Sequence, residues 1–137
     1  MLAFELQALF FSILILVLLI LLQTLLLVPN QGIAWGLGSR DEPKPEGLIQ
    51  GRIRRATQNH VVALMMFAPL IFILRDIGVS NGQTLIGAGL FLAARLLYPI
   101  VYALGMPVIR SLIFITGMVG IGFLVYAIAI AGFQTGI

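Results

Sequence analysis

Four long apolar runs organise the chain. The first extends from Leu6 to Val28 and is interrupted only by Gln7, Ser12, Gln23 and Thr24. A helix needs about 20 mainly apolar residues to cross a bilayer, so this run predicts a span with room for tilt. No basic segment precedes it, and it exceeds the ~7–15 apolar residues of a signal-peptide core, so it reads as a retained helix. Pro29 and Asn30 are expected to end it. Residues 29–55 are rich in Gly, Pro and charge and read as a hydrophilic loop, with Trp35 as an interfacial anchor.

The second span is expected over about 56–74, after polar turns holding Arg52, Arg54, Arg55, Thr57, Gln58, Asn59 and His60. The third is expected over 83–104, with Arg95 inside it, and the fourth over 111–133, opened by Arg110 and Ser111. The predicted fold class is therefore an all-α membrane protein: one four-helix transmembrane bundle formed by residues 1–137.

Composition agrees with this pattern. Apolar residues make up 61% of the sequence and charged residues 9%, with a mean hydropathy of +1.12. Soluble domains carry about 25% charged residues, so too few charges remain here to coat a water-facing surface. Disorder, which needs low hydrophobicity and high charge, is excluded as well. There is no Cys and a single His. That excludes a cysteine nucleophile, a thiolate zinc site and a histidine metal cluster, so no metal site is expected. The net charge of +3 would raise nucleic acid as a partner in a soluble protein. Here the basic residues cluster in loops, where membrane topology explains them first.

Four spans put both termini on one side. Arg40, Lys44, Arg52, Arg54, Arg55 and Arg110 fall on the other side, against Arg75 on the side of the termini. This six-to-one bias predicts cytoplasmic basic loops and termini on the opposite face.

Two polar stripes cross these helices. Arg52, Arg55, Asn59 and Val62 are spaced three, four and three, which places them on one helical face. Arg52 and Arg54 fit interfacial anchors, whereas the Asn59 amide needs partners inside the bundle. Arg95, Tyr98 and Tyr102 share a second face. Arg95 lies nine residues before Leu104, about 13 Å from that helix end at 1.5 Å per residue. A charge at that depth costs about 2.5–3.5 kcal/mol, so it marks either a structural Arg satisfied by neighbours or an anion site. The acids are Glu5, Asp41, Glu42, Glu46 and Asp76, and none falls in the middle of a span. Arg110-Ser111, at the start of a helix, suits either a cytoplasmic anchor with an N-cap serine or a place to hold an anion. Gly87, Gly89, Gly117, Gly120 and Gly122 read as close helix contacts. Met65 and Met66 read as core, and His60 as a packed histidine.

The segments Arg52-x-x-Arg55-Ala56-x-x-Asn59, Arg95-x-x-Tyr98-x-x-x-Tyr102 and Pro107-x-x-Arg110-Ser111 resemble the MAPEG family, the membrane-associated proteins in eicosanoid and glutathione metabolism. The order and spacing of the three motifs carry the match, and length, four spans and a long first loop agree with it. The resemblance implies a homotrimer with glutathione bound between subunits at the cytoplasmic side. Asn59, Tyr102, Arg110 and Ser111 match the family's glutathione contacts, with Arg110 and Ser111 as the catalytic pair that holds the thiolate; Arg55, Arg95 and Tyr98, on the same stripes, complete the candidate glutathione-binding set. Arg40 is a further candidate contact for a glutathione carboxylate. The implied activity is glutathione transfer to, or peroxidase action on, lipophilic electrophiles. Two positions depart from the pattern. Val62 stands where the family usually has Glu, and Gln58 where many members have Arg. These departures favour the alternative, a non-enzymatic module of the same fold that binds a lipid or a partner protein.

Overall fold

A computed structural model describes residues 2–134. The elements are α1 (Phe4–Gln31), a short α2 (Ile33–Leu37), α3 (Leu48–Asp76), α4 (Gly82–Leu104) and α5 (Pro107–Gln134). The four long helices are each long and apolar enough to cross a membrane. At 1.5 Å per residue the 28 residues of α1 span about 42 Å, some 12 Å more than a hydrocarbon core. The end turns therefore reach headgroup level.

Both ends of the first loop differ from expectation. Pro29 does not end α1, which continues to Gln31. A proline this near the end disturbs only the final turn, and the Asn30 side chain donates to the Leu26 carbonyl at 2.6 Å there. The stretch expected to be loop up to residue 55 holds α2 and the first two turns of α3. Gln50 nucleates α3 early: its Oε1 accepts from the Gly47 N–H at 3.2 Å, and its amide donates to Gln31 Oε1 at 2.8 Å. Lys44 and Gln31 exchange two further bonds, which pins the loop against the end of α1.

Helix α4 has defined ends. Asn81 Oδ1 accepts from the N–H groups of Gln83 and Thr84, satisfying orphan donors at its start. Gly105 ends it at φ 74, a left-handed conformation that suits glycine.

Helices α4 and α5 make the most intimate pair, and α1 packs on α3 and α4. Among the described residues α1 and α5 do not touch, so they stand diagonally across the bundle. The α4–α5 contact is set by glycine: a Cβ on Gly120 would lie 2.6 Å from the Gly87 carbonyl oxygen. Gly122 and Gly89, also expected as contacts, have open space or only distant neighbours. Phe67 of α3 stacks on Phe91 of α4 with ring centroids 3.9 Å apart, at the centre of a core that includes Ile71, Leu74, Ala88 and Leu124. Met66 packs against that core, but Met65 is 71% exposed and is not part of it. His60 is fully buried and meets the Ser12 carbonyl at 2.8 Å, tying α3 to α1.

Candidate functional site

The two predicted polar stripes face one another. Arg95, only 1% exposed, donates from Nη1 to Asn59 Oδ1 at 2.9 Å, so the α4 stripe meets the α3 stripe within the bundle. Its guanidinium lies 5.0 Å from the Tyr98 ring centroid and 5.5 Å from that of Phe91, within cation–π range. Gly117 of α5 makes the room: a Cβ there would come within 3.0 Å of Arg95 Nη2. Arg95 Nε has no hydrogen-bond partner. No carboxyl reaches this guanidinium; among the described residues the single ion pair is Arg54–Glu46, at 2.6 Å.

Further along the same stripes an open cleft of about 270 Å³ lies between the ends of α3, α4 and α5. Arg52, Arg55, Tyr102 and Arg110 line it, together with the turn Gly105-Met106-Pro107. Tyr102 is the hub. Its hydroxyl accepts from Arg55 Nε at 3.1 Å, and its ring lies 4.8 Å from the Arg110 guanidinium carbon and 5.8 Å from that of Arg55. Arg52 turns the other way and donates to the Ala103 carbonyl at 3.0 Å. It crosses Gly105 so closely that a Cβ there would meet its guanidinium at 2.7 Å.

The helix ends reinforce the charge. The last carbonyls of α4 are taken by Arg52 and by the N–H groups of Gly105 and Met106, so the negative end of that helix is satisfied internally. The positive end of α5 begins at Pro107 on the cleft rim. Three guanidinia and a helix N-terminus thus line one cleft whose lining residues include no carboxylate, although Glu46, the ion-pair partner of Arg54, lies near the Arg55 guanidinium. Such a site favours an anion, held by charge-assisted hydrogen bonds.

The candidates divide cleanly. Arg55, Tyr102 and Arg110 line the cleft, while the half-buried Asn59 and the buried Arg95 and Tyr98 form the inner layer of the same stripes. Ser111 is not in that group. Helix α5 starts at Pro107, so Ser111 lies in the second turn rather than at an N-cap, and its hydroxyl donates back to the Pro107 carbonyl at 2.9 Å. It is exposed on the outside of the single chain. Arg40 also lies elsewhere, bonded to the Gly36 carbonyl and packed 5.5 Å from the Trp35 ring. Val62 is 56% exposed and points away from the bundle.

One polar residue of consequence carries no expected role: Glu5. It is 4% exposed at the opposite end of the bundle, where its Oε1 accepts from Ser80 at 2.9 Å and from Thr84. The signal lies in the spacing of Glu5, Ala8, Leu9 and Ser12, a single helical face that α1 buries.

A four-helix membrane bundle with a cationic cleft at one end is the class that fold and site define. Residues 8–130 match the family model described as MAPEG family, nearly the whole chain, and the protein belongs to that family. Comparison with curated proteins gives no match, and neither does comparison with solved structures.

Proposed function

We propose that the cleft binds glutathione and activates its thiol for attack on lipophilic electrophiles delivered from the bilayer. The observation that carries this reading is a cleft lined by Arg52, Arg55 and Arg110, with Arg55 and Arg110 on Tyr102 and no carboxyl among the lining residues. Glutathione brings two carboxylates and a thiol, and positive potential stabilises the thiolate, the reactive form. Arg110 is the residue that lowers the cost of the thiolate, with Ser111 as a hydroxyl donor presented by the next subunit of a homotrimer. In transfer, the sulfur forms a bond to the electrophilic carbon, the leaving group departs with its electron pair, and the thiol proton passes to water. In peroxidase action, the thiolate attacks a peroxide oxygen and releases the alcohol. A second glutathione then takes the oxidised sulfur as disulfide, with loss of water. The basic loops, and so the cleft, face the cytoplasm on this reading.

A trimer suits the exposure of the site. Arg55 and Ser111 are exposed in the single chain, and polar side chains at helix surfaces in a membrane need partners away from lipid. The second reading, a module that binds a lipid or partner protein without catalysis, is favoured by Val62 and Gln58. These leave the exposed α3 face without the acid and the Arg that the family usually carries.

Calorimetry on the protein in nanodiscs tests the choice. The enzyme reading predicts glutathione binding with Kd of about 1 mM or tighter, or roughly −4 kcal/mol, lost in Arg110→Ala. No heat from either protein favours the non-enzymatic module.

A further inference from the structure

At the end of the bundle away from the cationic cleft, a second cavity of about 230 Å³ is lined by Glu5, Leu6, Ile71, Leu74, Arg75 and Ser80. Most of its wall is apolar, but it holds one acidic and one basic side chain. Glu5 is buried, with 4% of its surface exposed. Its Oε1 is held by the Ser80 and Thr84 hydroxyls, while its Oε2 has no hydrogen-bond partner. Neighbouring donors are committed elsewhere: the N–H groups of Gln83 and Thr84 go to Asn81 Oδ1, and the Asn81 N–H goes to Thr84 Oγ1. Arg75, in the last turn of α3, lines the same cavity but forms no ion pair with Glu5. The site lies in the first turn of α1, the last turn of α3 and the turn before α4, all at headgroup level by the length of the helices.

A buried acceptor without a donor calls for a donor from outside. Here it is paired, across an apolar cavity, with a cation that favours a bidentate partner such as phosphate. A primary ammonium and a phosphate joined by a short linker, with acyl chains that continue along the apolar wall, satisfy both. We propose that this cavity binds the headgroup of an aminophospholipid, phosphatidylethanolamine, with its ammonium on Glu5 and its phosphate on Arg75. Glu5 lines the cavity, so an ammonium seated there meets its carboxyl. A choline headgroup carries no N–H and cannot donate to Glu5.

The test is lipid retention by the delipidated full-length protein in detergent, read by native mass spectrometry. The lipids are phosphatidylethanolamine, its mono- and dimethylated forms and phosphatidylcholine, all with matched chains. The wild type is expected to retain phosphatidylethanolamine about tenfold over phosphatidylcholine, with preference falling at each methylation. Glu5→Gln keeps an acceptor for Ser80 and Thr84 and is expected to lose the preference. The exposed Arg75→Gln is expected to weaken all four lipids together. Equal retention of the four lipids by the wild type overturns the proposal without recourse to any variant. So does a Glu5→Gln protein that keeps the preference. Displacement of the lipid by equimolar soluble O-phosphoethanolamine overturns the assignment to a membrane lipid.

Discussion

Replacing Asn59 with leucine removes the one hydrogen bond found for the Arg95 guanidinium, at 2.9 Å. That bond involves a charged donor and contributes about 1.5–3 kcal/mol, so Asn59→Leu should destabilise by about 2 kcal/mol. Arg95→Met behaves differently, because Arg95 has no counter-charge. It gives up the same bond and two ring contacts of about 0.5–1 kcal/mol each. It also removes a buried charge that costs about 2.5–3.5 kcal/mol at mid-membrane. These terms cancel to within about 1 kcal/mol, so Arg95→Met should be close to neutral. In the double variant the leucine strands no charge, and the cycle should show a coupling of about 2 kcal/mol. Reversible unfolding in nanodiscs or bicelles measures all four proteins. A loss of about 3–5 kcal/mol for Arg95→Met, the cost of breaking a compensated buried pair, would refute the reasoning. If it stays neutral, stability does not explain an arginine at that depth, and Arg95→Met should instead lose glutathione affinity.

Three further outcomes are expected. Gly120→Ala brings a Cβ to 2.6 Å from the Gly87 carbonyl, while Gly122→Ala meets nothing within 4 Å. Overpacking of about 3 kcal/mol against a propensity gain of about 1 should leave Gly120→Ala less stable by roughly 2 kcal/mol, with Gly122→Ala unharmed, in the same unfolding assay. Tyr102→Phe removes the acceptor for Arg55 Nε but keeps the ring beside Arg110, so glutathione binding should weaken several-fold without loss of the fold, as read by calorimetry and circular dichroism. Reporter fusions at Ile137 should report the side opposite the cytoplasm, and cytoplasmic signal there would reverse the orientation.

Much of the architecture is readable in the chain because the bilayer imposes one rule: apolar runs of sufficient length become helices. The four runs and the two facing polar stripes follow from that rule and from helical spacing. The helix ends do not. Pro29 suggested a stop, yet a proline in the last turn costs α1 little, and Gln50 starts α3 two turns before the apolar run begins. Of the site, Arg55, Asn59, Arg95, Tyr98, Tyr102 and Arg110 come together, since stripes on adjacent helices meet where the helices pack. Ser111 does not join them because a residue next to Arg110 lies about 100° around the helix. The partners of Glu5 are not legible in the sequence, because Ser80 and Thr84 reach it from α4 and the turn before it, far along the chain.

The measurement closest to the central claim is the thiolate absorbance of glutathione on titration with the protein in nanodiscs. The cationic cleft predicts a thiolate band at neutral pH that grows with wild-type protein and saturates. It should be absent with Arg110→Ala and displaced by S-methyl glutathione, which fills the site without a free thiol. Saturable binding without any thiolate band, or a band unchanged in Arg110→Ala, would contradict the account.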